Sequence, residues 1–297
     1  MTDQAPDATV VIVTKDRREQ LRAAITSALE QEGHVEVLVV DDGSSDGTAD
    51  MVRADFPAAR VERFTESAGL VVRRNDAARL ARAPVIVSID DDAVLTTPRI
   101  VAQTLADFDD PRIGVIAMPF VDVEYGPAEH QRAPDRSQRW VTATFRGTAH
   151  AVRRDLFLAL GGYRAAIVHQ GEENDFALRM LAAGHLVGLG TADPVHHLES
   201  PTRSLTRMAV YGRRNELLLA FTYLVLPWNV LFGARWALIG LRVGIRRHLL
   251  RDTFRGYAAG VRACWALRTE RAPLPRSVLA LDRRLRRERA VRLADLR

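Results

Sequence analysis

Pro84-Val85-Ile86-Val87-Ser88-Ile89-Asp90-Asp91-Asp92 is an apolar run that ends on three carboxylates. Its first six residues have the length and β-branched content of a buried strand. Adjacent acids repel one another and add nothing to strand packing. They become favourable where oxygen ligands are needed for a hard divalent cation such as Mg2+ or Mn2+. The carboxyl ends of strands are also where open α/β sheets bind ligands.

Outward from this strand the first half of the chain alternates strand and helix patterns. Thr9 to Thr14 is a β-branched run, and Arg17 to Gln31 carries Leu21, Ala24, Ile25, Ala28 and Leu29 at the spacing of one helix face. Val35 to Val40 predicts a second strand, followed by a helix through Ala54, a short strand over Val61 to Phe64 and a helix over Leu70 to Ala81. The alternation predicts an α/β fold, with a mostly parallel central sheet and helices on both faces. Ile113 to Met118 continues the sheet, and Pro119 to Arg139 reads as a long loop. Trp140 to Val152 restores order, then helices run over Arg154 to Leu160 and Glu173 to Ala183. The catalytic domain is expected over residues 1–204 and a helical region over 205–297.

Composition narrows the chemistry. The chain has 297 residues, a formal net charge of +5 and one cysteine, Cys264. One cysteine excludes a disulfide framework and a thiolate metal site. Met1 to Ala8 lacks the basic and apolar regions of a signal peptide, so a cytoplasmic setting is expected. Lys15 is the only lysine among 42 basic residues, and the arginines crowd the segment after Arg203 among aliphatic side chains. No nucleic-acid motif accompanies them, which favours a membrane surface over nucleic acid as the partner.

Two further acidic clusters fall at element ends. Asp41-Asp42-Gly43-Ser44-Ser45-Asp46-Gly47-Thr48 closes the Val35 strand, and its two leading acids are candidates to accept from base or ribose hydroxyls. No GxGxxG phosphate loop is present, which argues against a dinucleotide cofactor. Gly171-Glu172-Glu173-Asn174-Asp175 opens a helix, where carboxylates are favoured by the dipole and one can serve as general base toward a hydroxyl. His196-His197 is a candidate ligand source for a carboxylate-held metal.

The order and spacing of these strings resemble the family 2 glycosyltransferases, inverting enzymes of GT-A fold, over roughly residues 9 to 205. The anchors are Val10 to Thr14 with Asp16-Arg17, the Asp41 to Thr48 string, Gly69 with Arg74-Asn75, and the Asp90-Asp91-Asp92 triplet at the family's Asp-x-Asp position. Arg153 to Phe157 with Gly161-Gly162-Tyr163, and Glu172 to Phe176 with Arg179, complete the set. The resemblance implies transfer of a sugar from a nucleotide-diphosphate-sugar donor (UDP, GDP or dTDP type) to a glycan or lipid-linked acceptor, with Mg2+ or Mn2+. It implies that Thr14, Asp16, Asp41, Asp42 and Arg74 line the donor site, together with Asp90 and Asp91. Asp90 and Asp92 would hold the cation, with His197 or His196 as an added ligand. The family's catalytic Asp position carries Glu173, which leaves Glu173, Asp175 or Glu172 as the base, Glu173 being preferred. A polyprenyl-phosphate sugar synthase, or a non-catalytic nucleotide-sugar-binding protein, is the alternative.

Leu217 to Ala234 contains 18 residues without formal charge. As a helix it would reach about 27 Å, short of a bilayer core of about 30 Å, and it contains Pro227. Arg235, Arg242 and Arg246 then share one face of a helix otherwise rich in apolar residues. That pattern predicts an interfacial helix, peripheral at the inner face of the cell membrane. Arg283 to Arg292 reads as a solvated basic tail.

Overall fold

The computed structural model describes residues 5–198 and 205–296. Strand β1 (Ala8–Thr14) is buried along its whole length, as expected for a strand covered on both faces. Helix α1 (Arg18–Leu29) buries Leu21, Ala24, Ile25 and Ala28, the stripe that the sequence spacing predicts. Then follow β2 (Val35–Asp42), α2 (Thr48–Asp55), β3 (Arg60–Phe64), α3 (Leu70–Leu80) and β4 (Val85–Asp90). Next come β5 (Ala93–Leu95), α4 (Ile100–Ala106), β6 (Ile113–Ala117), β7 (Phe120–Asp122), β8 (Glu129–His130) and β9 (Trp140–Thr142). The α/β part closes with β10 (Ala149–Arg153), α5 (Arg154–Ala159), α6 (Glu172–Ala182), β11 (Leu186–Leu189) and β12 (Val195–His197). The C-terminal part comprises α7 (Leu205–Tyr223), α8 (Trp228–Arg246), α9 (Leu250–Ala266), α10 (Arg276–Glu288) and β13 (Val291–Arg292).

The main sheet has nine strands in the order β13-β9-β11-β6-β10-β4-β1-β2-β3. Strands β9 and β10 run against their neighbours and the others share one direction. Alternate residues of β1 enter two cores: Val10 and Ile12 meet α1, while Val11 and Val13 meet the face covered by α3, α5 and α6. The chain lays β2 and β3 on one side of β1 and then crosses to β4 on the other. The strand order thus reverses between β1 and β4, where a crevice opens at the strands' carboxyl ends. Register aligns that edge: Thr14 lies opposite Asp41, and Val13 opposite Asp90.

A second sheet, β5-β12-β7-β8, stands just beyond the edge. Its strands β7 and β8 lie inside the stretch Pro119 to Arg139 read as a loop. They are three and two residues long respectively, too short to show a periodic pattern.

The C-terminal part differs from expectation in two respects. The uncharged run Leu217 to Ala234 is not one helix: it is split between the end of α7 and the start of α8, with the Leu226-Pro227 peptide at the break. Among the described residues no helix is long and apolar enough to cross a membrane. Arg283 to Arg292 is not a solvated tail. Leu285 on α10 is buried, and Val291 pairs antiparallel with Val141 of β9, adding an edge strand to the main sheet. The division at Ser204 lies outside the described residues, and the last residues return to the nine-stranded sheet rather than to the helical region.

Candidate functional site

The acidic triplet forms the turn that leads from β4 into β5, so its three side chains face different surroundings. Asp90 is the most open, and Arg74 Nη2 donates to its Oδ1 at 2.8 Å. Asp91 turns inward, accepting from Thr14 Oγ1 at 2.8 Å and Arg17 Nη1 at 2.7 Å. Burial pushes its carboxyl up to about 7, against the pull of Arg17 and Thr14. Asp92 accepts from Arg17 Nη2 at 2.7 Å, while His197 Nε2 faces its Oδ1 at 3.3 Å. Burial opposes the charge on Asp92, yet His197 and Arg17 outweigh it and hold the group at about 2.

His197 arrives by strand register. In the second sheet it lies opposite Ala93, the residue after Asp92, and opposite Asp122 of β7. Asp122 Oδ1 sits 2.7 Å from His197 Nδ1. That contact turns Nε2 toward Asp92, the arrangement by which a carboxylate orients a metal-binding imidazole. Burial works against protonation, but the two carboxylates raise His197 to about 9. His196, its neighbour on the strand, is exposed on the opposite face and does not join the cluster.

Asp90, Asp92 and His197 each offer a ligand atom, all within 4.8 Å of one another. Asp92 Oδ1 is buried without a hydrogen bond. Two carboxylates, an anchored imidazole and an unsatisfied buried oxygen fit a divalent cation such as Mn2+ or Mg2+.

The first turn of α6 supplies two more acids to the same place. Gly171 holds the left-handed conformation that lets the chain enter the helix (φ 102°). Glu172 is buried with Oε2 lacking a hydrogen bond. Burial raises its carboxyl, with Arg74 opposing and Asp90 reinforcing. Glu173 is half-buried beside Arg74 and Gly147; a Cβ on Gly147 would stand 2.6 Å from both Arg74 Nη1 and Glu173 Oε1. Glu173 is raised well above the ordinary glutamate range by burial and then by Glu172, while Arg74 pulls it down. Such a carboxylate suits proton abstraction near neutral pH.

Asp175 faces elsewhere. It is fully buried and accepts from Arg179 Nε at 2.9 Å, Arg164 Nε at 3.2 Å and Tyr223 Oη at 2.6 Å. Two residues along a helix is about 200°, so Asp175 leaves the face that carries Glu173. Its oxygens are consumed in fastening α7 to α6, which corrects its candidacy as a base.

The Asp41 to Thr48 string builds the loop that walls the crevice. Asp41 accepts from the Ser44 amide at 2.9 Å and closes the turn. Asp42 accepts from Ser67 Oγ, the Ala68 and Gly69 amides and Arg73 Nε at 2.7–2.9 Å. Its four bonds fix the segment leading into α3, so in this state it organises the wall rather than offering free acceptors. Gly43 (φ 75°) passes so close that a Cβ would meet the Ser67 amide at 3.2 Å. Exposed Asp16 accepts from the Ser45 amide at 2.7 Å, joining the ends of β1 and β2.

Sequence reading missed Arg17 and Asp122 as site residues. Arg17 stood in a quoted string, but nothing in spacing joined it to acids 74 residues away. Asp122 lay in the segment read as loop.

A sheet that reverses order at β1 and β4, with carboxylates and an imidazole gathered at that edge, defines the GT-A class of glycosyltransferases. Solved structures of similar fold include the mannosyltransferase PcManGT from Pyrobaculum calidifontis in complex with GDP-Man and Mn2+. It has 18% identity and a TM-score of 0.57, covering 94% of this chain and 79% of that one. GalNAc-T7 with UDP, GalNAc and Mn2+ gives 14% and 0.63, covering 92% and 59%. Staphylococcus aureus TarS 1-349 with UDP-GlcNAc gives 14% and 0.63, covering 93% and 83%.

Residues 9–165 match glycosyl transferase family 2, and the chain belongs to that family. Among curated relatives, the succinoglycan biosynthesis protein ExoU of Rhizobium meliloti (strain 1021) is 38% identical over 96 residues, covering 31% of this chain and 28% of that protein. The validoxylamine A glucosyltransferase of Streptomyces hygroscopicus subsp. jinggangensis (strain 5008) is 39% identical over 114 residues, covering 35% and 26%. The match to each of these relatives spans less than a third of its length.

Proposed function

We infer that the chain transfers a hexosyl or deoxyhexosyl group, with inversion, from a nucleoside-diphosphate sugar to a hydroxyl of a glycan or lipid-linked acceptor. The observation that carries this reading is the convergence of Asp90, Asp92 and His197 with Arg74 and Glu173 at one sheet edge. Glu173 accepts the acceptor's hydroxyl proton. The freed oxygen bonds to the anomeric carbon as the bond from that carbon to the diphosphate oxygen breaks, on the opposite face. Arg74, buried and fixed to Asp90 and the Gly147 carbonyl, is the fixed positive charge beside the departing diphosphate. A divalent cation, held by Asp90, Asp92 and His197, would supply Lewis-acid neutralisation of that leaving group.

Relatives named for succinoglycan biosynthesis support a cell-envelope or extracellular polysaccharide as the product. The reaction is set on the cytoplasmic side, at the membrane's inner face, where a lipid-linked acceptor would be presented. A thermal-shift screen of UDP, GDP and dTDP sugars with Mn2+ or Mg2+ tests donor use, since a ligand at about 100 times its Kd stabilises by about 2.7 kcal/mol. A shift for one nucleotide class, only with the cation, is expected. No shift from any of them refutes the reading.

A further inference from the structure

The helices α7, α8 and α9 enclose a groove that the transfer chemistry does not use. Its volume is about 400 Å³, within the range of pockets that take small ligands (about 300–1,000 Å³). Leu217 and Phe221 of α7, Val230 and Ala234 of α8, and Val261 and Cys264 of α9 line it. The lining is almost wholly apolar, and the groove opens to the surface.

The outer surface around it is not that of an ordinary packed bundle. On α8 the only buried residues are Gly233, Gly240 and Gly244, so the helix touches its neighbours through glycines and turns its large side chains outward. A Cβ on Gly240 would strike the Tyr257 hydroxyl at 2.0 Å. Trp228 is 60% exposed and Trp265 on α9 is 73% exposed, with Leu231, Leu238, Ile245 and Phe254 also outward. An apolar patch of this extent marks an interaction site. Between Val225 and Arg268 eight arginines accompany a single acid, Asp252, and all eight are exposed. They interleave with the apolar side chains instead of lying on a separate face. That mixture suits a lipid interface, where stems lie among acyl chains and guanidinium heads reach phosphate.

Arg214 adds a charge beside Cys264 of the groove lining. Half-buried on α7, it donates to Asn215 Oδ1 at 2.5 Å and has no ion pair among the described residues. Arg271 stacks 4.8 Å from the Phe221 ring and donates to the Phe221 and Leu224 carbonyls. An uncompensated cation and a stacked one beside an apolar slot match the two ends of an anionic lipid.

We propose that the α8–α9 face docks on a bilayer containing anionic phospholipid, with an acyl chain of one lipid entering the groove between α7, α8 and α9. This rests on the reading that catalysis occurs at the membrane surface, and it names the docking surface and the lipid charge. Asn215 of α7 donates to the His169 and Gln170 carbonyls just ahead of Glu172, and Tyr223 of α7 bonds Asp175. One helix therefore separates the groove from the acids of the site.

The test uses the full chain and its single cysteine. Co-sedimentation with phosphatidylglycerol–phosphatidylcholine vesicles should show binding that weakens with salt, whereas phosphatidylcholine alone should not bind. Replacing Arg235, Arg242 and Arg246 by Gln should weaken the partition roughly a hundredfold, at about fivefold per arginine near the surface. Anionic vesicles should also slow modification of Cys264 by a water-soluble maleimide, and zwitterionic ones should not. Equal binding to both vesicle types, or to neither, overturns the docking surface. Binding that leaves Cys264 reactivity unchanged overturns the groove's acyl occupancy. Protection of Cys264 that grows with protein concentration alone, alongside a dimer in sedimentation equilibrium, assigns the face to a second copy and also refutes the proposal. Calorimetry of a nucleoside diphosphate with Mn2+ on the same preparation separates the two readings: lipid binding can fail while donor binding stands.

Discussion

Asp175→Asn and Glu173→Gln, compared side by side, separate the staple from the base. Asp175 is fully buried and bonded to Arg164, Arg179 and Tyr223. Removing its charge leaves two arginines, each about one-fifth exposed, without their buried partner. Breaking a buried ion pair costs about 3–5 kcal/mol. The amide retains one acceptor oxygen, so the lower end, about 3 kcal/mol, is expected, or a fall in Tm of roughly 6–12 °C at about 2–4 °C per kcal/mol. Glu173 behaves in the opposite sense. Burial, then Glu172, raises its carboxyl above the ordinary glutamate range, with Arg74 opposing. An acid whose folded pKa exceeds its unfolded one costs stability once pH passes the unfolded value. A neutral Gln removes that cost, so Glu173→Gln should be as stable as the parent or more so at neutral pH. Its transfer rate should fall about 10²–10⁴-fold, the usual contribution of a general base. Scanning calorimetry and initial rates with the identified donor make the comparison. The reasoning is refuted if Asp175→Asn keeps its Tm and loses turnover, or if Glu173→Gln keeps turnover.

Asp122→Asn should weaken Mn2+ binding about 10–100-fold by calorimetry, because the partner that orients His197 is lost; unchanged affinity removes His197 from the metal set. Mn2+ affinity of the parent should climb with pH up to about 9, since the metal must replace the His197 proton, and level off above it. Gly147→Ala places a methyl 2.6 Å from Arg74 and Glu173, whose flexible ends can shift. It should therefore cost about 10²-fold in rate with little change in Tm; a rate within twofold of the parent would show these groups need no fixed geometry. Arg74→Gln removes the charge that holds Glu173 down. The rising limb of the rate–pH profile should then move to higher pH, and a limb that stays put or moves lower contradicts the base assignment.

The parts of the site carried by long, patterned elements were legible in the sequence. The β1, β2 and β4 strands are apolar runs, the last two ending on acids, and parallel register places Asp41 opposite Thr14 and Asp90 opposite the neighbouring Val13. What stayed hidden depends on short elements and on face. Strand β7 has three residues, so nothing marked Asp122 as the partner of His197. Adjacent residues on a strand point oppositely, and the choice between His196 and His197 needed the register of β12 against β5 and β7. Asp175 sits in the same acidic string as Glu173, and only the arginines and tyrosine around it reveal a structural role. Val278, Leu281 and Leu285 carry a helix spacing in α10, but the arginines between them dominate its reading as a tail.

The return of the chain to β9 turns the α7–α9 bundle into an insertion. Residues 205–275 leave the catalytic domain after β12, and the chain re-enters it through α10 and β13. A segment fastened at both ends cannot swing as a tethered arm, so any surface it touches sets the tilt of the crevice as well. It also cannot be cut away cleanly. A chain stopped after β12 would lose Val291 from its pairing with Val141 and leave the unpaired edge of β9 open to other molecules. Excising residues 205–275 and rejoining the chain would keep the ninth strand but strip Tyr223 from Asp175 and Asn215 from the His169 and Gln170 carbonyls, so the insertion is part of what holds α6 in place.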